Sequence, residues 1–271
     1  MAMLFSALNL QKPQVMGILN VTPDSFSDGD RYTNITTALR HAEAMQAAGA
    51  SLIDIGGEST RPGSVAVTAQ QELDRVIPVI EAVQARIEVA ISIDTSKPIV
   101  MREAVQAGAS LINDVNALQA EQALETAVQL GVPVCLMHKQ GEPGTMQQKP
   151  HYDDVVAEVR AYLMARATLL QQAGMAVDQI LLDPGFGFGK TLDHNLDLLR
   201  QLNTFTGYPI LVGLSRKTML GTLTGRPIKE RVAASVAAAT IALQQGANIL
   251  RVHDVAETVD AVTLWTAINK E

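Results

Sequence analysis

Eight short apolar runs, rich in β-branched residues, recur along the chain at 15–20, 51–55, 89–94, 110–114, 132–137, 179–183, 209–214 and 248–253. Between most of them lies a segment with the three-to-four spacing of an amphipathic helix. The runs are continuously apolar rather than alternating, as strands covered on both faces must be, and that favours parallel pairing. In the first intervening segment Ile35, Ala38, Ala42 and Met45 share a face; in the second, Leu73, Ile77 and Ile80 begin one that Gln84 breaks, and Thr68 with Gln71 forms a capping box at its start. Several helices close on glycine just before a strand: Ala-Gly-Ala-Ser-Leu-Ile occurs at 48–53 and again at 107–112, and Gln-Gly-Ala-Asn-Ile-Leu follows at 245–250. Such a repeat suits glycine as the residue that ends a helix with positive φ.

Eight strand–helix units predict a (β/α)8 TIM barrel, with residues 1–271 forming a single domain. The competing architecture is an open doubly wound sheet. Both place a site at the carboxyl ends of the strands. There the sequence offers Asn20 and Asp24; Glu58, Thr60 and Arg61; Asp94; Asn113 and Asp114; His138 and Lys139; Asp183; Ser215, Arg216 and Lys217; and Arg251, His253 and Asp254. One such residue is ordinarily a helix cap. Carboxylates and amides still inside the apolar runs, as Asp94, Asn113 and Asp183 are, cost several kcal/mol unless partnered, and so point to a site.

The stretch Asp183-Pro-Gly-Phe-Gly-Phe-Gly-Lys190-Thr191 looks like a phosphate loop. It lacks the required spacing, because the first glycine of G-x4-G-K-[ST] would fall on Pro184. A tight loop that approaches a flat ligand, with Phe186 or Phe188 as an aromatic face, is the better expectation. Lys217 with Arg216, and Arg251 with His253, suit an anion near the last two strands, where barrels often bind phosphate; a surface ion-pair set is the plainer alternative. The five histidines are scattered, so a His cluster for a metal is not expected. Mg2+ held by an amide oxygen and phosphate oxygens remains compatible. Cys135, flanked by Val134 and Leu136, reads as core, and His41 and His194 as solvated.

Twenty-one Lys and Arg against 28 Asp and Glu give a formal charge of −7, the wrong sign for coating nucleic acid. The longest mainly apolar stretch, 232–243, is too short for the ~20 residues of a membrane span. No basic n-region marks a signal peptide, and a lone cysteine fits a reducing compartment, so a cytoplasmic protein is expected.

The strings Gly17-Ile-Leu-Asn20-Val-Thr-Pro-Asp24-Ser-Phe26-Ser-Asp28-Gly29, Asp54-Ile-Gly-Gly-Glu58-Ser-Thr60-Arg61-Pro62-Gly63, Ser92-Ile-Asp94-Thr95, Ile112-Asn113-Asp114, Asp183-Pro-Gly-Phe-Gly-Phe188-Gly, Ser215-Arg-Lys217 and Arg251-Val-His253-Asp254 together resemble the dihydropteroate synthase family. The likeness runs through virtually the whole chain, in order. It implies condensation of 6-hydroxymethyl-7,8-dihydropterin diphosphate with 4-aminobenzoate, to 7,8-dihydropteroate and diphosphate. It also implies a pterin site at Asp94, Asn113, Val115, Met137, Asp183 and Lys217, and a diphosphate site at Asn20, Arg251 and His253 with Mg2+ on Asn20. The 4-aminobenzoate pocket and its lid would use Phe26, Thr60, Arg61, Pro62, Phe188, Lys217 and Thr218, and the catalytic groups would be Asp94, Lys217, Arg251 and His253. Sulfonamide inhibition and a homodimer follow from the same resemblance; the Ala-rich segment 233–242 reads as a helix packed closely on a neighbour or across a subunit interface, and is a candidate dimer contact. Two departures stand out: Thr218 where the family often has Ser, expected to alter sulfonamide sensitivity, and Lys139 where Met is commoner. A non-catalytic pterin-binding barrel serving a methyltransferase would not need Asn20, Thr60, Arg61, Arg251 and His253; a Schiff-base aldolase acting through Lys217 is a further alternative.

Overall fold

The structure, a computed structural model, describes residues 8–22, 31–59, 66–141, 146 and 149–269. Each expected run overlaps a strand: β1 (Gln14–Asn20), β2 (Leu52–Gly56), β3 (Ala90–Asp94), β4 (Leu111–Asp114), β5 (Val134–Met137), β6 (Ile180–Asp183), β7 (Leu211–Val212) and β8 (Ile249–Val252). They pair in parallel in the order β6-β5-β4-β3-β2-β1-β8-β7. The two ends of that order meet where Leu182 bridges Ile210 and its N–H donates to Pro209 O at 3.0 Å. This closes the sheet into the expected (β/α)8 barrel and excludes an open doubly wound sheet.

The helices are α1 (Arg31–Ala47), α2 (Ala69–Arg86), α3 (Pro98–Ala107), α4 (Ala123–Leu130), α5 (Val155–Gln172), α6 (Leu192–Arg200), α7 (Thr218–Thr224), α8 (Val232–Gln244) and α9 (Val255–Ile268). One is additional to the strand–helix alternation. The short α7 interrupts the connection after β7, so the Ala-rich segment belongs to α8, where Ala238, Ala239 and Ala242 pack inward. The Thr68–Gln71 capping box starts α2 as expected, and Gly49, Gly108 and Gly246 have the positive φ values their repeat predicted. The buried stripe of α2 is displaced from expectation: it comprises Glu72, Val76, Val79, Ile80 and Val83, with Leu73 and Ile77 only half-buried. A carboxylate can occupy a core-facing position there because Lys97 pairs with Glu72 at 2.5 Å, and also with Glu58.

Strand side chains alternate between the barrel interior and the helices. Met16, Leu52, Ala90, Leu111, Cys135, Leu181, Leu211 and Ile249, one from each strand, form a buried cluster of their own, with Leu8 and Leu10 packed against it. This is the floor of the barrel. Two residues further along the same face come Ile18, Asp54, Ser92, Asn113, Met137, Asp183, Gly213 and Arg251. The floor is thus sealed by aliphatic groups, while the next layer is mostly polar. The opposite faces of the strands join the large core shared with the helices.

Candidate active site

The polar layer is tied together by one arginine. Arg251 Nε donates to Asp54 Oδ2 at 2.6 Å, and its Nη2 donates to Asp94 Oδ2 at 2.8 Å. Asn113 Nδ2 donates to the same oxygen of Asp54 at 3.2 Å. Burial disfavours the charge of Arg251, but Asp54 and Asp94 outweigh it and raise its pKa above the ordinary arginine value. Burial is the main cause that lifts the Asp94 carboxyl to about 7, against the opposing pull of Arg251 and with Asp54 adding to the rise. Burial likewise raises Asp183, whose Oδ1 accepts a hydrogen bond from the Gly185 N–H at 2.7 Å. Three buried carboxylates, Asp54, Asp94 and Asp183, thus act on the guanidinium of Arg251, with Lys217 and Lys190 acting on Asp183 as well.

Above this layer lies a narrow recess, about 20 Å³ in volume, lined by Asp94, Asn113, Val115, Met137, Asp183, Phe186, Phe188, Gly213, Lys217 and Arg251. The structure thus brings together all six residues expected to hold a pterin. The recess shares Phe188, Gly213, Lys217 and Arg251 with a cleft of about 950 Å³, which also takes in Asn20, Ser215, Thr218 and His253. His253 is set beside Ser215 of the preceding strand end: its N–H donates to Ser215 Oγ at 3.2 Å, and Nδ1 lies 3.1 Å from the same oxygen. Arg216 belongs to a different arrangement. It forms a two-armed pair with Asp254, the plainer ion-pair alternative, and braces the ends of β7 and β8. Phe26, Thr60, Arg61 and Pro62 lie outside the described residues.

The loop after β6 corrects one expectation and narrows another. Its glycines at 185, 187 and 189 all have positive φ, yet two of them admit a neighbouring stretch of chain rather than a ligand. A Cβ on Gly185 would meet His138 O at 1.9 Å, and one on Gly189 would meet Gln140 O at 2.2 Å. Of the two candidate aromatic faces, Phe186 is 1% exposed and part of the core, although it also lines the recess; Phe188 is the face on offer, with Lys217 Nζ 4.2 Å from its ring centroid. His194 is not simply solvated. Its ring caps the start of α6 through the Thr191 N–H and meets Tyr152 edge-on at 5.0 Å.

Four residues that sequence reasoning left without a role help to build the site: Asp54, Lys190, Gly213 and Ser215. Lys190 is 3% exposed, and its ammonium lies 3.0 Å from His138 Nδ1, 2.9 Å from Gly185 O and 3.1 Å from Phe188 O. It faces back into its own loop, which confirms that Gly189-Lys190-Thr191 is no phosphate loop. Burial lowers the lysine to about 7, and burial followed by the nearby lysine lowers His138 to about 3. The signal for Lys190 was a lysine amid glycines and aromatics; its partner on the β5 side could not be read locally.

A closed barrel with a polar interior layer under a deep cleft is the architecture of a barrel enzyme with its site at the carboxyl ends of the strands. The chain matches the pterin-binding enzyme family over residues 16–253. It is 54% identical to dihydropteroate synthase of Escherichia coli K12 over 264 residues, covering 97% of this chain and 94% of that protein. With the Haemophilus influenzae dihydropteroate synthase it shares 52% identity over 262 residues, 96% of this chain and 95% of the relative. Among solved structures, the Yersinia pestis dihydropteroate synthase in a sulfonamide complex superposes with a TM-score of 0.91 at 54% identity, covering 96% of both chains. The Xanthomonas albilineans enzyme with 4-aminobenzoic acid gives 0.92 at 52%, covering 97% of this chain and 96% of that one. The same enzyme in complex with 7,8-dihydropteroate gives 0.89 at 50%, with the same coverage. The chain belongs to the pterin-binding enzymes and, within them, to the dihydropteroate synthases, a family of transferases.

Proposed function

We propose that the protein joins the methylene carbon of 6-hydroxymethyl-7,8-dihydropterin diphosphate to the amine of 4-aminobenzoate, releasing diphosphate and 7,8-dihydropteroate. The observation that carries this reading is the convergence of Asp94, Asn113, Val115, Met137, Asp183 and Lys217 on one recess that opens beside Asn20, Arg251 and His253. The recess is smaller than a bicyclic ring, so the pterin seats its polar edge there and extends into the cleft. Asp183 and Asn113 supply acceptors for that edge, Met137 and Val115 its apolar walls, and Lys217 a donor to ring acceptors. Phe188 and Thr218, on the cleft side, border the arylamine.

As the carbon–oxygen bond breaks, positive charge grows on the methylene and negative charge on the departing diphosphate. The ionised Asp94 carboxylate stabilises the first, while Arg251 and His253 receive the second. The attacking arylamine is neutral near pH 7 and needs no strong base; its proton leaves to solvent after the new carbon–nitrogen bond has formed. Among the described residues no three His, Cys, Asp or Glu side chains are grouped to hold a metal. Asn20, half-buried on the cleft wall, fits Mg2+, which accepts a single amide oxygen when phosphate oxygens complete its shell. Bound there, Mg2+ would offset the charge of the leaving group.

This reading includes a cytoplasmic homodimer. The lone, buried Cys135 accords with a reducing compartment, and Ile241, Leu264 and Ile268 stand exposed on α8 and α9 as an apolar contact; a monomeric mass by light scattering would exclude the dimer. No described helix is long and apolar enough to cross a membrane.

The decisive assay mixes purified protein with the pterin diphosphate, 4-aminobenzoate and Mg2+ and follows diphosphate and dihydropteroate. Product is expected, and its absence would overturn the proposal. Arg251→Ala should weaken binding of the diphosphate ester at least about tenfold more than binding of the phosphate-free pterin. Asp183→Asn should do the reverse, and calorimetry with the two ligands separates the cases.

A further inference from the structure

Asp54 is fully buried and lines neither the recess nor the cleft, so it is not placed to touch a ligand. Its Oδ2 nevertheless joins two residues that do line the recess, accepting from Arg251 Nε at 2.6 Å and from Asn113 Nδ2 at 3.2 Å. Its Oδ1 is buried with no hydrogen-bond partner, and so is Oγ of Ser92, its register neighbour on β3. Taking a carboxylate out of water is costly, and a buried ion pair repays that cost only in part. What Asp54 supplies is direction.

A guanidinium is a rigid fork of donors. With Nε held by Asp54 and Nη2 by Asp94, the plane of Arg251 is fixed, and Nη1 makes neither bond. The second constraint is on the amide. An ionised carboxylate only accepts, so Asn113 must turn its NH2 towards Asp54 and present its carbonyl oxygen to the recess. A ligand edge there must therefore bring a donor. The geometry points to Asp54 as a positioning residue that orients both the guanidinium of Arg251 for the departing diphosphate and the amide of Asn113 for the pterin edge. This rests on the reaction proposed above and adds a determinant of its specificity.

The test is a double-mutant cycle with inorganic diphosphate and phosphate-free pterin as probes, alongside turnover. In a folded Asp54→Asn protein, diphosphate and pterin affinity should both fall about tenfold, and kcat/KM about 30-fold or more. In an Arg251→Ala background the same change should cost diphosphate affinity less than about threefold, because the group it orients is gone. Pterin affinity should still fall there, since Asn113 remains. A purely structural role would lower the melting temperature and give the same loss of diphosphate affinity in both backgrounds. That outcome, or unchanged affinities in a folded variant, would overturn the assignment. Should Asp54→Asn not fold, the parent labelled with 15N-arginine decides: the Arg251 Nε–H should exchange slowly with and without diphosphate, and exchange as fast as in exposed arginines counts against the role. Failure of the parent to make dihydropteroate would sink the reaction, while the binding cycle would still decide the role of Asp54.

Discussion

A carboxyl group held near 7 changes both stability and activity across the ordinary pH range. Asp94 would titrate at 3.8 in an open chain and does so at about 7 here, chiefly through burial. Its folded-state pKa is raised, so its favourable contribution is fully present below about pH 4 and is lost as the pH rises towards 7. Asp94→Asn should therefore flatten the change in melting temperature between pH 5 and pH 8 while reducing turnover by about 100-fold or more; parallel melting profiles for parent and variant would refute this. In the parent, kcat/KM should fall below pH 7 as the carboxylate gains a proton. Asp94, Asn113 and Asp183 were legible in the sequence because each is a polar group inside an apolar run. Asp54 carried the same mark inside 51–55, but its meaning lay with Arg251, 197 residues away, where no local pattern could reveal it.

The loop after β6 shows how one element depends on another. Gly185 has φ of +69°, and a methyl group there would strike the carbonyl oxygen of His138. Gly185→Ala should destabilise the fold by about 3 kcal/mol and weaken pterin binding with it, since the N–H of Gly185 also holds the Asp183 carboxylate. Denaturant melts and pterin titration check this, and a variant with parental stability would show that the loop can relax. Spacing alone was enough to reject a phosphate loop. The purpose of the glycines was hidden, because the chain they admit follows β5 and is distant in sequence. Periodicity also misplaced the face of α2, since it scores apolar residues and passes over Glu72, which is buried by virtue of Lys97. The seven-residue α7 is too short to show a period at all.

On the scale of the whole molecule, the strand count made the barrel legible; period-two alternation decided which residues face the barrel interior, and position along the strand which of those became floor and which became site. Cys135 lies in that floor, fully buried, with its thiol pKa pushed up by burial. An aromatic disulfide reagent should therefore modify it only at the rate of global unfolding, and labelling in native buffer faster than unfolding would show that the floor opens locally. The net charge of −7 is a sum over the whole chain, and it conceals the few cations at the cleft on which the proposed anion site depends. One position in the polar layer has no side chain. Gly213 leaves open space where a Cβ would stand, on the wall shared by the recess and the cleft. The ring of eight strands is thus short of a tooth, and the flat heterocycle of the proposed substrate has the shape to complete it. Part of what such a ligand gains on binding is then the cohesion that a protein core obtains from its own side chains, available to any molecule of the right thickness before a single polar contact is counted.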